Sequence, residues 1–161
     1  MVDVVFLGTG GAFSAGRRSN TALLIETPGF RMLAEVGPPI LQQLARVNRT
    51  AADIDWLFVT HAHGDHILGF PMLVLCHLDT ANPLRIYAGP RTLGCLKELW
   101  NMVYPGFEDD RLNIPWHPCA EETVEERQLV PGVTLRTAPV PCPPAVPTLA
   151  ARWDFATGHS I

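Results

Sequence analysis

Thr60-His61-Ala62-His63-Gly64-Asp65-His66 puts four side chains of metal-ligand type into six consecutive residues. The run before it, Trp56-Leu57-Phe58-Val59, is apolar and β-prone, so the cluster sits where a buried strand opens into a loop. On such a loop His61 and His63 can point one way while Asp65 and His66 point another. That geometry suits two adjacent divalent ions, with zinc, manganese or iron as candidates for imidazole and carboxylate ligands. The alternative is a polar loop or helix start with Asp65 as its cap. Three imidazoles crowded round one carboxylate favour the metal.

Length and composition bound the rest. The 161 residues fit one domain, 1–161, and 47% hydrophobic with 17% charged content reads as soluble and globular. No stretch is apolar and long enough to span a bilayer. Met1-Val2-Asp3-Val4-Val5 lacks the basic region of a signal peptide, so a cytoplasmic protein is expected. Cys76, Cys95, Cys119 and Cys142 form no C-x-x-C pair and are expected to be reduced, the first three as core fillers. The net charge of −4 argues against a broad nucleic-acid surface, although Arg17 and Arg18 could hold one phosphate.

Strands are predicted at Val2–Leu7, Thr21–Glu26 and Arg31–Val36 as a meander, then at Trp56–Val59, Leu84–Ala88, Val133–Ala138 and Ala150–Phe155. Helices are predicted at Ile40–Arg46, after Pro38-Pro39, over the apolar run Ile67–Leu78, and at Arg91–Tyr104 with Leu93, Leu96, Trp100 and Val103 along one side. Thr50-Ala51-Ala52-Asp53 has capping-box form. Pro139–Pro147 holds five of the chain's 15 prolines and reads as a stiff loop, neither helix nor central strand. Thr157-Gly158 suggests a hairpin turn. Strands first, then mixed β and α, point to an α/β layered architecture with helices covering a sheet.

The H-x-H-x-D-H pattern resembles that of the metallo-β-lactamase-fold hydrolases. Val4-Val5-Phe6-Leu7-Gly8-Thr9-Gly10-Gly11 looks like their first strand and glycine loop, and Gly16-Arg17-Arg18-Ser19-Asn20 with Thr21–Glu26 like their second strand. The run His61–Pro71 is similar to the ribonuclease Z and arylsulfatase-like branch. The resemblance implies an αββα sandwich, of which this chain is the N-terminal half or slightly more. It implies a metal-dependent hydrolase, binding one or two zinc ions (or manganese or iron), that cleaves a phosphodiester, sulfate ester or acyl ester by attack of a metal-bound hydroxide. The substrate would be a small-molecule or nucleic-acid ester. His61 and His63 would share one ion with a third ligand. Asp65 and His66 would hold the second, with Asp65 also orienting the hydroxide as the catalytic carboxylate. The competing reading is an incomplete or non-catalytic metal-binding domain that acts through a partner chain.

Three departures from the family pattern matter. Cys142, in Val140-Pro141-Cys142-Pro143-Pro144, stands where a histidine is expected; it is either the third ligand or an inert substitution. Glu35, in Ala34-Glu35-Val36-Gly37-Pro38, stands where relatives show Asp-Cys-Gly, and either buttresses a metal-bound imidazole or is an ordinary strand-end glutamate. The chain ends before the turn that carries the bridging aspartate. Asp154 and His159 are read as solvent-facing, and His77 and His117 as core or surface histidines. Gly8-Thr9-Gly10-Gly11 lacks the spacing of a dinucleotide loop and reads as a tight turn beside the metal pocket. A half-sandwich should leave an apolar sheet face open and self-associate through it, as a homo-oligomer.

Overall fold

In the computed structural model, which describes residues 1–13, 15–78, 80–107, 112–142 and 146–161, the strand before the ligand cluster (β4, Trp56–Val59) is buried at all four positions. It lies inside a six-stranded sheet ordered β1 (Asp3–Gly8), β2 (Ala22–Thr27), β3 (Phe30–Ala34), β4, β5 (Arg85–Ala88), β6 (Trp116–Pro118). The first three strands pair antiparallel, as the predicted meander requires; β3 to β6 run parallel. A strand with neighbours on both edges and packed layers on both faces must be apolar throughout, which is the pattern of Trp56–Val59.

One face of this sheet is covered by helices α1 (Ile40–Arg46), α2 (Gly64–Ile67), α3 (Phe70–Leu75) and α4 (Pro90–Val103). Leu24, Leu33, Leu57 and Ile86 meet Leu44, Phe70, Leu73 and Trp100 there. The other face is covered by a three-stranded antiparallel sheet ordered β7 (Glu125–Val130), β8 (Val133–Val140), β9 (Thr148–Phe155). Ile25, Met32, Trp56, Phe58 and Tyr87 pack there against Val133, Leu135, Leu149, Trp153 and Phe155. The indole of Trp153 stands edge-on to Phe58, with ring centroids 5.6 Å apart. The layers are therefore helix, sheet, sheet, an α/β order that matches three layers of the expected sandwich. Among the described residues no helix is long and apolar enough to cross a membrane.

Several expectations are corrected. The apolar run 67–78 is not one helix: α2 and α3 break at Leu68 and Gly69. Gly69 donates its amide to the Val36 carbonyl at 2.8 Å, and a Cβ there would lie 2.6 Å from that oxygen, so the backbone must come too close for any side chain. Pro71 then opens α3. The third strand stops at Ala34, because Glu35 takes a left-handed φ of 72°. Val103 faces solvent, and Cys76 is exposed, not a core filler; Cys95 is half-buried and Cys119 is buried. β8 runs on through Pro139 and Val140, into the segment read as loop, and pairs them with Leu149 and Thr148. Proline is accepted there because the pairing with β7 ends at Thr137, leaving β8 a neighbour on one side only among the described residues. Residues 143–145 of that segment lie outside the described residues.

Two strands carry no sequence signal. β6 spans three residues. β7 is Glu125-Glu126-Arg127-Gln128-Leu129-Val130, whose inward Arg127 lies over the Tyr87 ring at 5.7 Å in place of an apolar side chain. The outer face of the second sheet is also unlike the expectation. It presents Glu126, Thr134, Arg136, Arg152 and Asp154, with Arg136 joined to Glu126 and Asp154 at 3.1 Å each. That face is polar and ion-paired, so the apolar surface given as the cause of self-association is not present on it.

The capping box forms as expected: Asp53 Oδ2 accepts from the Thr50 amide at 2.8 Å and its hydroxyl at 2.9 Å. The Thr157-Gly158 turn closes with Gly158 at φ 84°. Because Trp153 fills the space between the sheets, Trp153→Ala should cost about 3–5 kcal/mol. Urea unfolding followed by circular dichroism should give a lowered midpoint, and an unchanged midpoint would mean the second sheet does not share this core.

Candidate metal centre

The ligand loop leaves β4 at its carboxyl end, the position where open parallel sheets gather functional groups. Three backbone contacts shape it. The amides of Glu35 and Val36 donate to Phe58 and His66 carbonyls at 2.9 Å each, and the His66 amide donates to His63 at 2.9 Å. Gly37 then passes so close that a Cβ would lie 1.8 Å from the Asp65 carbonyl oxygen and 3.1 Å from Asn20 Cβ. The glycine loop Gly8–Gly11 reaches the same region through Asn20, whose Nδ2 donates to the Gly11 carbonyl at 3.1 Å. A Cβ on Gly8 would sit 2.1 Å from the Asn20 carbonyl, so this loop packs tightly against the segment that leads into β2.

His61, His63 and His66 converge. The His61 ring centroid lies 4.5 Å from that of His63 and 4.1 Å from that of His66. His61 Nε2 and His63 Nδ1 are 2.9 Å apart. Cys142, at the end of β8, completes a group: the ligand atoms of His61, His63 and Cys142 all lie within 4.8 Å of one another. Asp65 does not cap α2, whose start carries no side-chain cap bond. Its Oδ2 lies 3.5 Å from His66 Nε2 instead.

Partners behind the rings fix their orientation. Thr60 Oγ1 is 2.8 Å from His61 Nδ1, which leaves Nε2 directed at the group. Glu35, buried, brings Oε2 to 3.0 Å from His66 Nδ1, an ion-pair distance. Its other oxygen accepts from the Thr60 amide at 3.3 Å. Thr60 is the residue sequence reasoning passed over; its place directly before His61 was the available signal.

Electrostatics differ across the site. Burial, with His66 and His63 as neighbouring imidazoles, lowers the His61 pKa to about 4 against the opposing pull of Asp65. His66 is also pushed down by burial, but the Glu35 carboxylate, aided by Asp65, outweighs this and raises it above its usual value. His61 is therefore a neutral donor with a free lone pair, as ligation requires.

The remaining candidates lie elsewhere. Asp154 sits on the outer sheet face with Arg136, Arg152 and Ser160, and the Ser160 hydrogen bond, with the arginines, lowers its pKa. His159 is exposed beside Thr157. His77 is buried between the Ala51 and Asn82 carbonyls, and His117 stacks on Tyr87 at 4.5 Å. Arg17 and Arg18 are exposed on the loop before Asn20.

This layering, with H-x-H-x-D-H at the end of the fourth strand, defines the metallo-β-lactamase fold. The short form of human tRNase Z superposes with a TM-score of 0.77 at 20% identity, over 99% of this chain and 67% of that one. The metallo-β-lactamase-fold protein YhfI of Bacillus subtilis gives 0.76 at 17% identity, over 99% and 59%. A family profile described as Anti-Pycsar protein Apyc1 matches residues 2–111, and the chain belongs to that family. The sequence is also similar to ribonuclease Z of Halorubrum lacusprofundi, 42% identical over 62% of this chain and 33% of the relative. The chain spans about a third of the length of such curated relatives.

Two outcomes are expected. Gly37→Ala would push the Asp65 carbonyl aside, so metal binding measured by calorimetry should weaken roughly 10-fold or more, the scale seen when support behind a ligand is lost. For metal-free protein, the folded-state pKa of His61 near 4 lies below the ordinary 6.5. The unfolded chain then binds more protons in that window, so the His61 contribution to stability is full above pH 6.5 and is lost as pH falls towards 4. His66 acts in the opposite sense, its contribution fading as pH rises above its ordinary value. Denaturation of wild type against His61→Asn across this range isolates the first effect; equal slopes would contradict it.

Proposed function

We propose that this chain is a zinc-dependent hydrolase domain that cleaves phosphodiesters. The observation that carries the reading is the His61, His63 and Cys142 group, with its three ligand atoms within 4.8 Å of one another. Two imidazoles and a thiolate are a donor set that zinc takes in preference to manganese, whose liking is for oxygen. The residues fit the ion: His61 has its far nitrogen engaged by Thr60, and His66 has its own beside Glu35.

The chain's residues divide the work. His61, His63 and Cys142 would hold the zinc. His66 and Asp65, 3.5 Å apart, would hold a second ion, with Glu35 beside the His66 ring. Asp65 is the catalytic carboxylate, accepting a hydrogen bond from the attacking water and aligning it. Zinc, when bound, supplies Lewis acidity and lowers the pKa of water towards about 7. A phosphodiester is favoured over a sulfate or acyl ester because relatives 38% and 42% identical carry the name ribonuclease Z. Thiols without disulfides suit the cytoplasm.

Protein purified without chelator should carry zinc by elemental analysis and hydrolyse bis(p-nitrophenyl) phosphate faster than p-nitrophenyl sulfate or acetate. His61→Ala with His63→Ala should abolish both properties. Asp65→Asn should keep zinc while turnover drops about 10²-fold or more. Zinc without turnover on any of the three would favour the competing reading, a metal-binding domain that acts through a partner. Alkylation tests the third ligand: Cys142 should be protected when metal is bound and react once a chelator is added, and Cys142→His should keep the metal.

A further inference from the structure

The four thiols occupy unlike surroundings. Cys119 is buried, and burial beside Glu125 raises its pKa to about 11, so it stays protonated and inert. Cys76 is exposed and Cys95 half-buried, both on the helical layer away from the ligand loop. Cys142 is half-buried, just past Val140, where β8 has a strand on one side only. Among the described residues it is the thiol that joins a group of nitrogen donors.

We infer that Cys142 is an oxidation site through which a hydroperoxide releases the ion from the His61, His63 and Cys142 centre. The inference rests on the reading of Cys142 as a ligand. Of the ligands assigned to the centre it is the one that peroxide oxidises readily; imidazole does not react at comparable rates. Cys142 is a half-buried residue just past the end of β8, not enclosed in the core as Cys119 is, which gives a small oxidant an approach. The two imidazoles lose little when the ion goes, because His61 Nε2 and His63 Nδ1, 2.9 Å apart, can hydrogen-bond to each other.

The step balances. The thiolate sulfur attacks one oxygen of hydrogen peroxide; a sulfur–oxygen bond forms, the oxygen–oxygen bond breaks, and hydroxide leaves. Sulfur is oxidised by two electrons and the peroxide reduced by two, giving a sulfenic acid, a far poorer ligand than the thiolate. A small thiol reverses it. One equivalent forms a mixed disulfide and water; a second releases the Cys142 thiol and a small-molecule disulfide.

The test loads the full chain with zinc, adds hydrogen peroxide, follows released zinc with a metallochromic indicator and traps sulfenic acid with dimedone. Zinc should leave at the rate at which Cys142 becomes trapped, and dithiothreitol with added zinc should restore occupancy. Cys142→His should hold zinc and release it roughly tenfold more slowly or less still, while Cys76→Ser should behave as wild type. Zinc retained on protein trapped at Cys142, or equal loss from Cys142→His, overturns the inference. Should Cys142→His hold no zinc, the agreement of the two wild-type rates decides. A cobalt(II)-loaded chain without a sulfur-to-cobalt charge-transfer band would sink the ligand reading itself, before any oxidant is added.

Discussion

The ligand loop depends on one junction, where Glu35 leaves β3. Its amide is held by the carbonyl of Phe58 on the neighbouring strand, while its carboxylate reaches the Thr60 amide and the His66 ring. One residue thus ties the last turn of the strand to both ends of the H-x-H-x-D-H segment. The geometry is costly: a non-glycine residue at φ 72° gives up on the order of 1 kcal/mol or more. Contacts from a buried carboxylate to an amide and an imidazole offset that cost, being stronger than neutral ones. Val36, Gly37 and Gly69 continue the same seam, each placing backbone against backbone where a side chain would not fit or would not help.

The seam divides the site electrically. On the His61 side, burial and neighbouring rings keep imidazole neutral; on the His66 side, Glu35 and Asp65 draw positive charge. On the proposed reading, such a centre would offer uncharged imidazole nitrogen beside soft sulfur at one end and hard carboxylate oxygen at the other.

Much of this could be read along the chain because it is local. The apolar strand Trp56–Val59, the ligand spacing, the capping box and the meander are all set by near neighbours. What could not be read depends on distant approach. The break at Gly69 arises from Val36, more than thirty positions earlier, and an apolar run alone reads as continuous helix. β7 is polar because pairing with β8, and the Tyr87 ring under Arg127, supply what apolar alternation usually does. Cys142 became visible only through a family pattern, since a lone cysteine in a proline-rich stretch carries no chemistry by itself. Its nearness to His61 and His63 is a fact of three dimensions.

The Cys142 position also bears on how the chain is held together. The Leu149 amide donates to the Thr60 carbonyl at 3.1 Å, so the second sheet is already buttoned to the ligand loop by one backbone bond. An ion shared by His63 and Cys142 would add a cross-link closing a loop of about 80 residues, which in the chain-entropy picture removes on the order of 4 kcal/mol of freedom from the unfolded ensemble. In that role the ion resembles a staple between two sheets that meet otherwise through side-chain packing. Loss of the staple would loosen the seam between the sheets first, and the helical layer last.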